Sequence, residues 1–239
     1  MEIKEYETLI ISQLDELVGN IINTLPNLNI AVKKGERVGD GISKYLENKF
    51  VEFTREHKYF RDSLASPEGK TKNPFDVQTF FEINNHRELL WIDFKAINVD
   101  NDDTNPDSGT PDKVLTLMNS GYFYLVYILV YYKGNETGLD FVKNNEIFVK
   151  SYFLKDVSST MRITPANQMQ VNGFAEPMYR TREEFLDFLL QKKIESNKRK
   201  LKKATEELEN LTQGNFKKDL SIDMLKELNK SQEESIKKL

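Results

Sequence analysis

Asp93 and Lys95 stand two residues apart in a stretch where Leu90, Ile92, Phe94 and Ala96 alternate with Trp91, Asp93 and Lys95. Side chains two apart on a strand share a face. The carboxylate and the ammonium therefore project together from a strand whose other face is apolar. Asp76 sits on the preceding strand-like stretch, and an Asn84-Asn85 turn folds it back towards Asp93. Two carboxylates beside one ammonium on adjacent strands are costly unless a cation lies between them. Hard carboxylate oxygens suit Mg²⁺. Glu47, on a preceding helix, adjoins that helix's apolar stripe and could stand alongside both aspartates. On residue types alone the plainer readings stay open: a solvated strand face for Asp93 and Lys95, an exposed helical position for Glu47.

The elements that must position these groups follow from periodicity. Ile3, Tyr6, Leu9, Ile10, Leu14, Leu17 and Val18 have helical spacing, closed by Gly19-Asn20. A second helix is predicted over 40–58, with Ile42, Tyr45, Leu46, Phe50 and Phe53 on its stripe. Residues 63–74 read as a polar loop, 75–83 and 88–97 as strands, and 98–112 as a loop. A helix is expected from Pro111, a residue suited to a first helical position. The apolar and aromatic run 122–132 reads as a strand buried on both faces. Residues 146–154 and 168–174 alternate as strands do. Thr181-Arg-Glu-Glu184 is a capping-box pattern that opens a helix to about 211. Gly214 would break it, and Asp219 would cap a last helix to about 238. The fold class expected is α/β (α+β), a mixed central sheet flanked by helices. It would occupy residues 1–203, with a helical C-terminal extension over 204–239.

The order Glu47, Pro74-Phe-Asp76, Asp93-Phe-Lys95 resembles the PD-(D/E)XK nuclease motif, with one departure: Phe75 is inserted between Pro74 and Asp76. Further pieces keep the order found in the blunt-cutting EcoRV, HincII and HpaI group of type II restriction endonucleases. They are Ile92-Asp-Phe-Lys-Ala-Ile-Asn-Val, the Pro106-Asp-Ser-Gly loop, the buried run from Tyr122, Asn167 to Asn172, and Thr181-Arg-Glu-Glu-Phe185. The resemblance spans about residues 40–200. It implies a restriction-endonuclease-like core, a homodimer reading a symmetric site, and one or two Mg²⁺ ions per active site. It implies hydrolysis of phosphodiester bonds in double-stranded DNA at a palindrome, leaving blunt ends. Asp76, Asp93 and the Phe94 carbonyl would bind the metal. Lys95 would be the positive charge beside the attacking water or the phosphate. Glu47 would hold a second metal or orient a metal-bound water. A cognate DNA methyltransferase would act on the same site. Two other readings stay open: a repair or recombination nuclease of this fold without sequence specificity, and a catalytically inactive DNA-binding or helical scaffold protein.

Reading a base sequence needs donors and acceptors at base edges. Asn167, Gln168, Gln170 and Asn172 offer amides, which suit adenine and hence an A·T-rich site. The resemblance puts this stretch at the major groove; a polar hairpin edge is the plainer alternative. In the loop after Asp93, the residues expected to contact DNA are Asn98, Asn105, Ser108 and Thr110, with Asn101 beside them. The acids Asp100, Asp102, Asp103 and Asp107 are expected to cap turns or the helix. Lys70, Lys72 and Asn73 form a second candidate for backbone or minor-groove contact.

Composition bounds the rest. The 239 residues carry 34 Lys plus Arg and 38 Asp plus Glu, a net charge of -4. That balance alone argues against a nucleic-acid partner. Yet residues 192–203 hold seven cations and one anion, a charge of +6, which leaves -10 on the remainder. Such a helical run can track phosphate or simply be solvated. The absence of cysteine excludes disulfides, thiolate zinc sites and a cysteine nucleophile, and fits a reducing cytoplasm. The longest apolar run is far short of the ~20 residues that cross a bilayer, so no membrane partner is expected. His57 and His86, the only histidines, read as surface residues.

Overall fold

The computed structural model describes residues 2–24, 27–28, 38–67, 75–101, 104–135, 138–212, 226–227, 230 and 234. In chain order the elements are α1 (Ile3–Thr24), β1 (Asn27–Leu28), α2 (Val38–Phe53), β2 (Phe60–Ala65), β3 (Val77–Ile83) and β4 (His86–Asn98). There follow α3 (Pro111–Asn119), β5 (Leu125–Gly134), β6 (Leu139–Phe141), β7 (Val149–Phe153), β8 (Arg162–Ile163), β9 (Met169–Gln170) and α4 (Arg182–Thr212). Among the described residues the main sheet has seven strands in the order β1-β6-β5-β4-β3-β2, with β7 also pairing β5. β4 and β5 run parallel over Trp91–Asn98 and Leu125–Tyr132; the other pairs are antiparallel. A parallel pair needs a crossover, and the loop after β4 together with α3 supplies it. The mixed sheet flanked by helices is the fold class the periodicity implied.

Two cores sandwich the sheet. On one face Ile10, Leu14, Ile42, Leu46 and Phe50 from α1 and α2 pack against strand residues such as Ile92 and Phe94. On the other, Val114, Met169, Val171, Phe185 and Leu189 cover Ile97, Tyr127 and Tyr131. β5 contributes to both, so its run from Leu125 to Tyr131 is buried throughout, as a continuous apolar stretch demands. The β3–β4 hairpin closes on Asn84 and Asn85 with φ of 49° and 63°. Both central residues are left-handed, the pattern whose twist suits a two-residue hairpin and which asparagine tolerates.

Several boundaries differ from the sequence expectation, each for a physical reason. α1 does not stop at Gly19-Asn20 but runs to Thr24. Ile21 and Ile22 are fully buried, and that burial outweighs the ~1 kcal/mol a mid-helix glycine costs. α2 ends at Phe53, five residues early. Residues 60–65, expected partly as loop, form β2, an edge strand whose alternation is broken by a bulge. There Asp62 adopts φ 51°, and the extra residue hides the period of two. β6 was not foreseen either, being three residues long. The alternating stretch 168–174 yields only the two residues of β9. The expected starts at Pro111 and Thr181 hold. Pro111 opens α3 behind an N-cap at Thr110. The Thr181 N–H donates to Glu184 Oε2 at 2.7 Å while the Glu184 N–H donates to Thr181 Oγ1 at 3.2 Å, a reciprocal capping box.

The chain divides into two compact units, Met1–Lys192 and Lys193–Leu239. Within the second, helical residues 197–212 are exposed all round. The Gly214 break and the Asp219 cap lie outside the described residues. No helix among the described residues is long and apolar enough to cross a membrane.

Candidate active site

The last ladder pair of the β3–β4 hairpin at this end is Val77 with Ile92. One residue further out, the Asp76 N–H still donates to the Ile92 carbonyl at 2.8 Å. Asp76 Oδ2 then accepts the Phe94 N–H at 2.8 Å. The carboxylate thus takes the place of a strand partner at the edge β3 leaves bare, satisfying an otherwise orphaned donor. Asp93 and Lys95 flank Phe94 on the opposite strand face, and their Oδ1 and Nζ atoms are 2.8 Å apart. Their side chains are 24% and 21% exposed, so the pair is sheltered but reachable. The expected convergence of Asp76, Asp93 and Lys95 is therefore present.

Glu47 comes from α2, which crosses the same end of β4. It is buried, and Lys44 Nζ lies 3.1 Å from its Oε2. Ser43, one helical turn before it, donates its hydroxyl to the Phe94 carbonyl at 3.3 Å. Glu47, Asp76, Asp93 and Lys95 line one open cleft of about 690 Å³. Burial, then the Asp93 charge and more weakly Glu47, push the Asp76 carboxyl up to about 7 against the pull of the Phe94 N–H and Lys95. Burial also raises the Glu47 carboxyl, with Lys44 opposing it. Carboxyls crowded in this way hold charge reluctantly until a cation or proton joins them.

Among the described residues no three Asp, Glu or His side chains group closely enough to hold a metal ion by themselves. The donor set is instead two aspartates and the Phe94 carbonyl, all hard oxygens. Mg²⁺ is commonly held by one or two carboxylates, with water and substrate phosphate completing the shell. These residues fit it.

The expected DNA-contacting residues fall into three groups. Lys70, Lys72 and Asn73, with Pro74 of the motif, lie outside the described residues. Several others make local bonds. Asn98 Oδ1 accepts the Asp100 N–H at 3.0 Å, Thr110 Oγ1 accepts the Lys113 N–H at 3.2 Å, and Asn172 Oδ1 accepts the Phe174 N–H at 2.8 Å. Asn167, at φ 63°, donates its amide to Asp112 at 3.0 Å, and the Gln168 N–H donates to Thr164 Oγ1 at 3.1 Å. Ser108 is buried, and its carbonyl accepts the Tyr127 hydroxyl at 2.8 Å. Asn105 and Gln170 line the same cleft as Asp76, Asp93 and Lys95.

The two loops that carry these residues are stitched together. The Ser108 N–H donates to the Met169 carbonyl at 2.8 Å, and the Met169 N–H returns to Gly109 at 2.9 Å. The Gly173 N–H donates to Thr104 at 2.9 Å. A Cβ on Gly173 would stand 2.6 Å from Ile97 Cδ1, so glycine permits this close approach to β4. Ser43, Lys44 and Tyr127 have no part in the sequence expectation, and Asp107, expected to cap a turn or the helix, instead accepts the Gln170 side-chain amide across 63 residues. Only the i,i+3 spacing of Lys44 and Glu47 offered a local signal. His86 is exposed beside Glu88, while His57 is half-buried and accepts the Tyr59 N–H at 3.2 Å.

Residues 2–211 match the family model for SwaI-like proteins, described as SwaI restriction endonuclease. No curated protein matches the chain. Among solved structures, NlaIV restriction endonuclease is similar at 13% identity with a TM-score of 0.43. That match spans 65% of this chain and 63% of the other.

Proposed function

The chain belongs to the SwaI-like family of restriction endonucleases, and we propose that it is a type II enzyme of PD-(D/E)XK type. It hydrolyses phosphodiester bonds in double-stranded DNA at a palindromic, A·T-rich site and leaves blunt ends. It acts as a homodimer in the cytoplasm, beside a DNA methyltransferase of the same specificity. The observation that carries this reading is the edge of β4: Asp76 clamped to the Phe94 N–H, with Asp93 and Lys95 side by side in an open cleft.

The roles follow from chemistry. Asp76, Asp93 and the Phe94 carbonyl would hold Mg²⁺, and one or two ions per site are compatible with Glu47 standing in the same cleft. Bound there, Mg²⁺ supplies Lewis-acid stabilisation of phosphate charge and acidifies water. Ser43 keeps the Phe94 carbonyl directed into the cleft. Asp93 holds the Lys95 ammonium at the cleft wall, where it stabilises the extra negative charge that develops on the phosphate. Glu47, shielded by Lys44, would hold a second ion or orient a metal-bound water.

Purified protein incubated with plasmid and MgCl2, with and without EDTA, tests the reading. Discrete fragments that vanish with EDTA are expected. A smear would point instead to a nuclease without sequence specificity. Intact plasmid at every divalent ion tried would overturn the reading.

A further inference from the structure

Asp107 and Gln170 are 63 residues apart in the chain, and Gln170 Nε2 donates to Asp107 Oδ1 at 2.7 Å. The same two residues form an isolated antiparallel bridge. The rung is held on both sides by the backbone bonds of Met169 to Ser108 and Gly109, and of Gly173 to Thr104. Met169 and Val171 are buried at 0% and 3% exposure. Alternation then turns Gln170 the other way, into the cleft with Asp76, Asp93 and Lys95. Tyr127, the strand partner of Asp93, ties the Ser108 carbonyl down at 2.8 Å. The position of this pair over the catalytic residues is thereby set by the sheet itself.

A carboxylate at the mouth of a cleft that receives a polyanion works against binding, so Asp107 needs a local reason. A carboxylate only accepts hydrogen bonds. The atom of Gln170 that faces it must therefore be the amide nitrogen, which removes the two-fold freedom a lone glutamine has. With the N–H trans to Oε1 given to Asp107, the other N–H and the carbonyl Oε1 stand side by side, a donor next to an acceptor. Adenine offers the matching pair in the major groove, acceptor N7 and donor N6, whereas guanine offers two acceptors.

We propose that Asp107 is a positioning residue that locks the Gln170 amide in the orientation selecting adenine over guanine at one base of the recognition site. This rests on the sequence-specific nuclease reading above and names the residue pair that reads one base of that site.

The test digests a randomised duplex DNA library with full-length protein and MgCl2, then sequences the ends. Wild type, Asp107→Asn, Gln170→Ala and the double variant are compared, with thermal melts alongside. Asparagine can donate as well as accept, so in Asp107→Asn the Gln170 amide is free to turn and aim its NH2 group at a guanine acceptor. The expected result is that one symmetric pair of adenines in the wild-type consensus becomes adenine or guanine. Discrimination there falls roughly 10- to 100-fold, and the other positions stay unchanged. Gln170→Ala loses its preference at the same position, and the double variant loses no more. A purely structural role would lower the rate or the melting temperature without changing which base is chosen. An unchanged Asp107→Asn consensus, or relaxation spread over every position, overturns the inference. Wild-type protein that yields no consensus overturns the nuclease reading itself, a result distinct from a consensus that Asp107→Asn leaves intact.

Discussion

Three side chains carry the proposed chemistry, and each is held by one short contact. Asp76 is tied to the Phe94 N–H, while Asp93 and Lys95 are tied to each other. Burial, and then the charges of Asp93 and Glu47, raise its carboxyl towards neutrality, so an ionised Asp76 costs the fold stability. Asp76→Asn keeps an acceptor for the Phe94 N–H but removes a charge and one of the proposed Mg²⁺ ligands. The expectation is loss of cleavage together with a melting temperature several degrees above wild type in EDTA at pH 8. Lys95→Ala is expected to lower the cleavage rate by about 10²-fold or more, the scale of losing one preorganised charge. Lys95→Arg does not rescue it, because a planar guanidinium cannot occupy the place of a compact ammonium. Cleavage of mapped DNA ends by Lys95→Ala at the wild-type rate would remove this residue from the active site.

At the scale of elements, the site depends on where β3 parts from β4 and on what α1 and α2 brace. α2 delivers Glu47 and Ser43 to the end of β4, and its Ile42, Leu46 and Phe50 anchor it there. α1 braces β7 through Asp15, whose Oδ1 accepts the Ser151 N–H at 2.9 Å. Burial pushes Asp15 up from 3.8 to about 6, against the Ser151 hydrogen bonds that lower it. A folded-state value above the unfolded one means the native state binds the proton more tightly. Its contribution to stability is therefore complete below 3.8 and lost as pH rises through about 6. Asp15→Asn keeps an acceptor for Ser151 without the charge. Urea melts should show it more stable than wild type at pH 8 by on the order of 2 kcal/mol, with the gap closing below pH 4. A gap that is constant across pH would mean that ionisation of Asp15 is not its origin.

For the whole molecule, a net charge of -4 is compatible with a DNA partner because charge is distributed unevenly. The basic run 192–203 sits in α4, and the acids include the two aspartates of the cleft. A palindrome is read by a two-fold symmetric protein. Light scattering should accordingly give a protein mass of twice 27.9 kDa, in free solution or, with the mass of the duplex subtracted, on DNA. A single-chain mass in both states would sink the homodimer reading and leave each active site cutting one strand at a time.

How much of this was legible in the sequence depends on the range of each interaction. The β3–β4 hairpin, its Asn84-Asn85 turn and the shared face of Asp93 and Lys95 are local. A period of two and a turn type, both set by neighbouring residues, determine them. The capping box at Thr181 and the doubly buried β5 are local in the same sense. Composition and motif order also determined the family expectation and the hard-oxygen character of the site. Tertiary structure decided what lies between distant segments. β2 is an edge strand disguised by a bulge, and α1 outruns its glycine because its last turn is buried. Asp107 meets Gln170 across 63 residues. No periodicity encodes that meeting, since it arises from Gly173 letting one loop approach Ile97 and from Tyr127 fastening the other. The residue types in the cleft and the pairing of Asp93 with Lys95 were readable from the chain. The partners brought from other elements, Ser43 on the Phe94 carbonyl and Gln170 on Asp107, were not, because such partners are chosen by packing, and packing is a property of the folded whole.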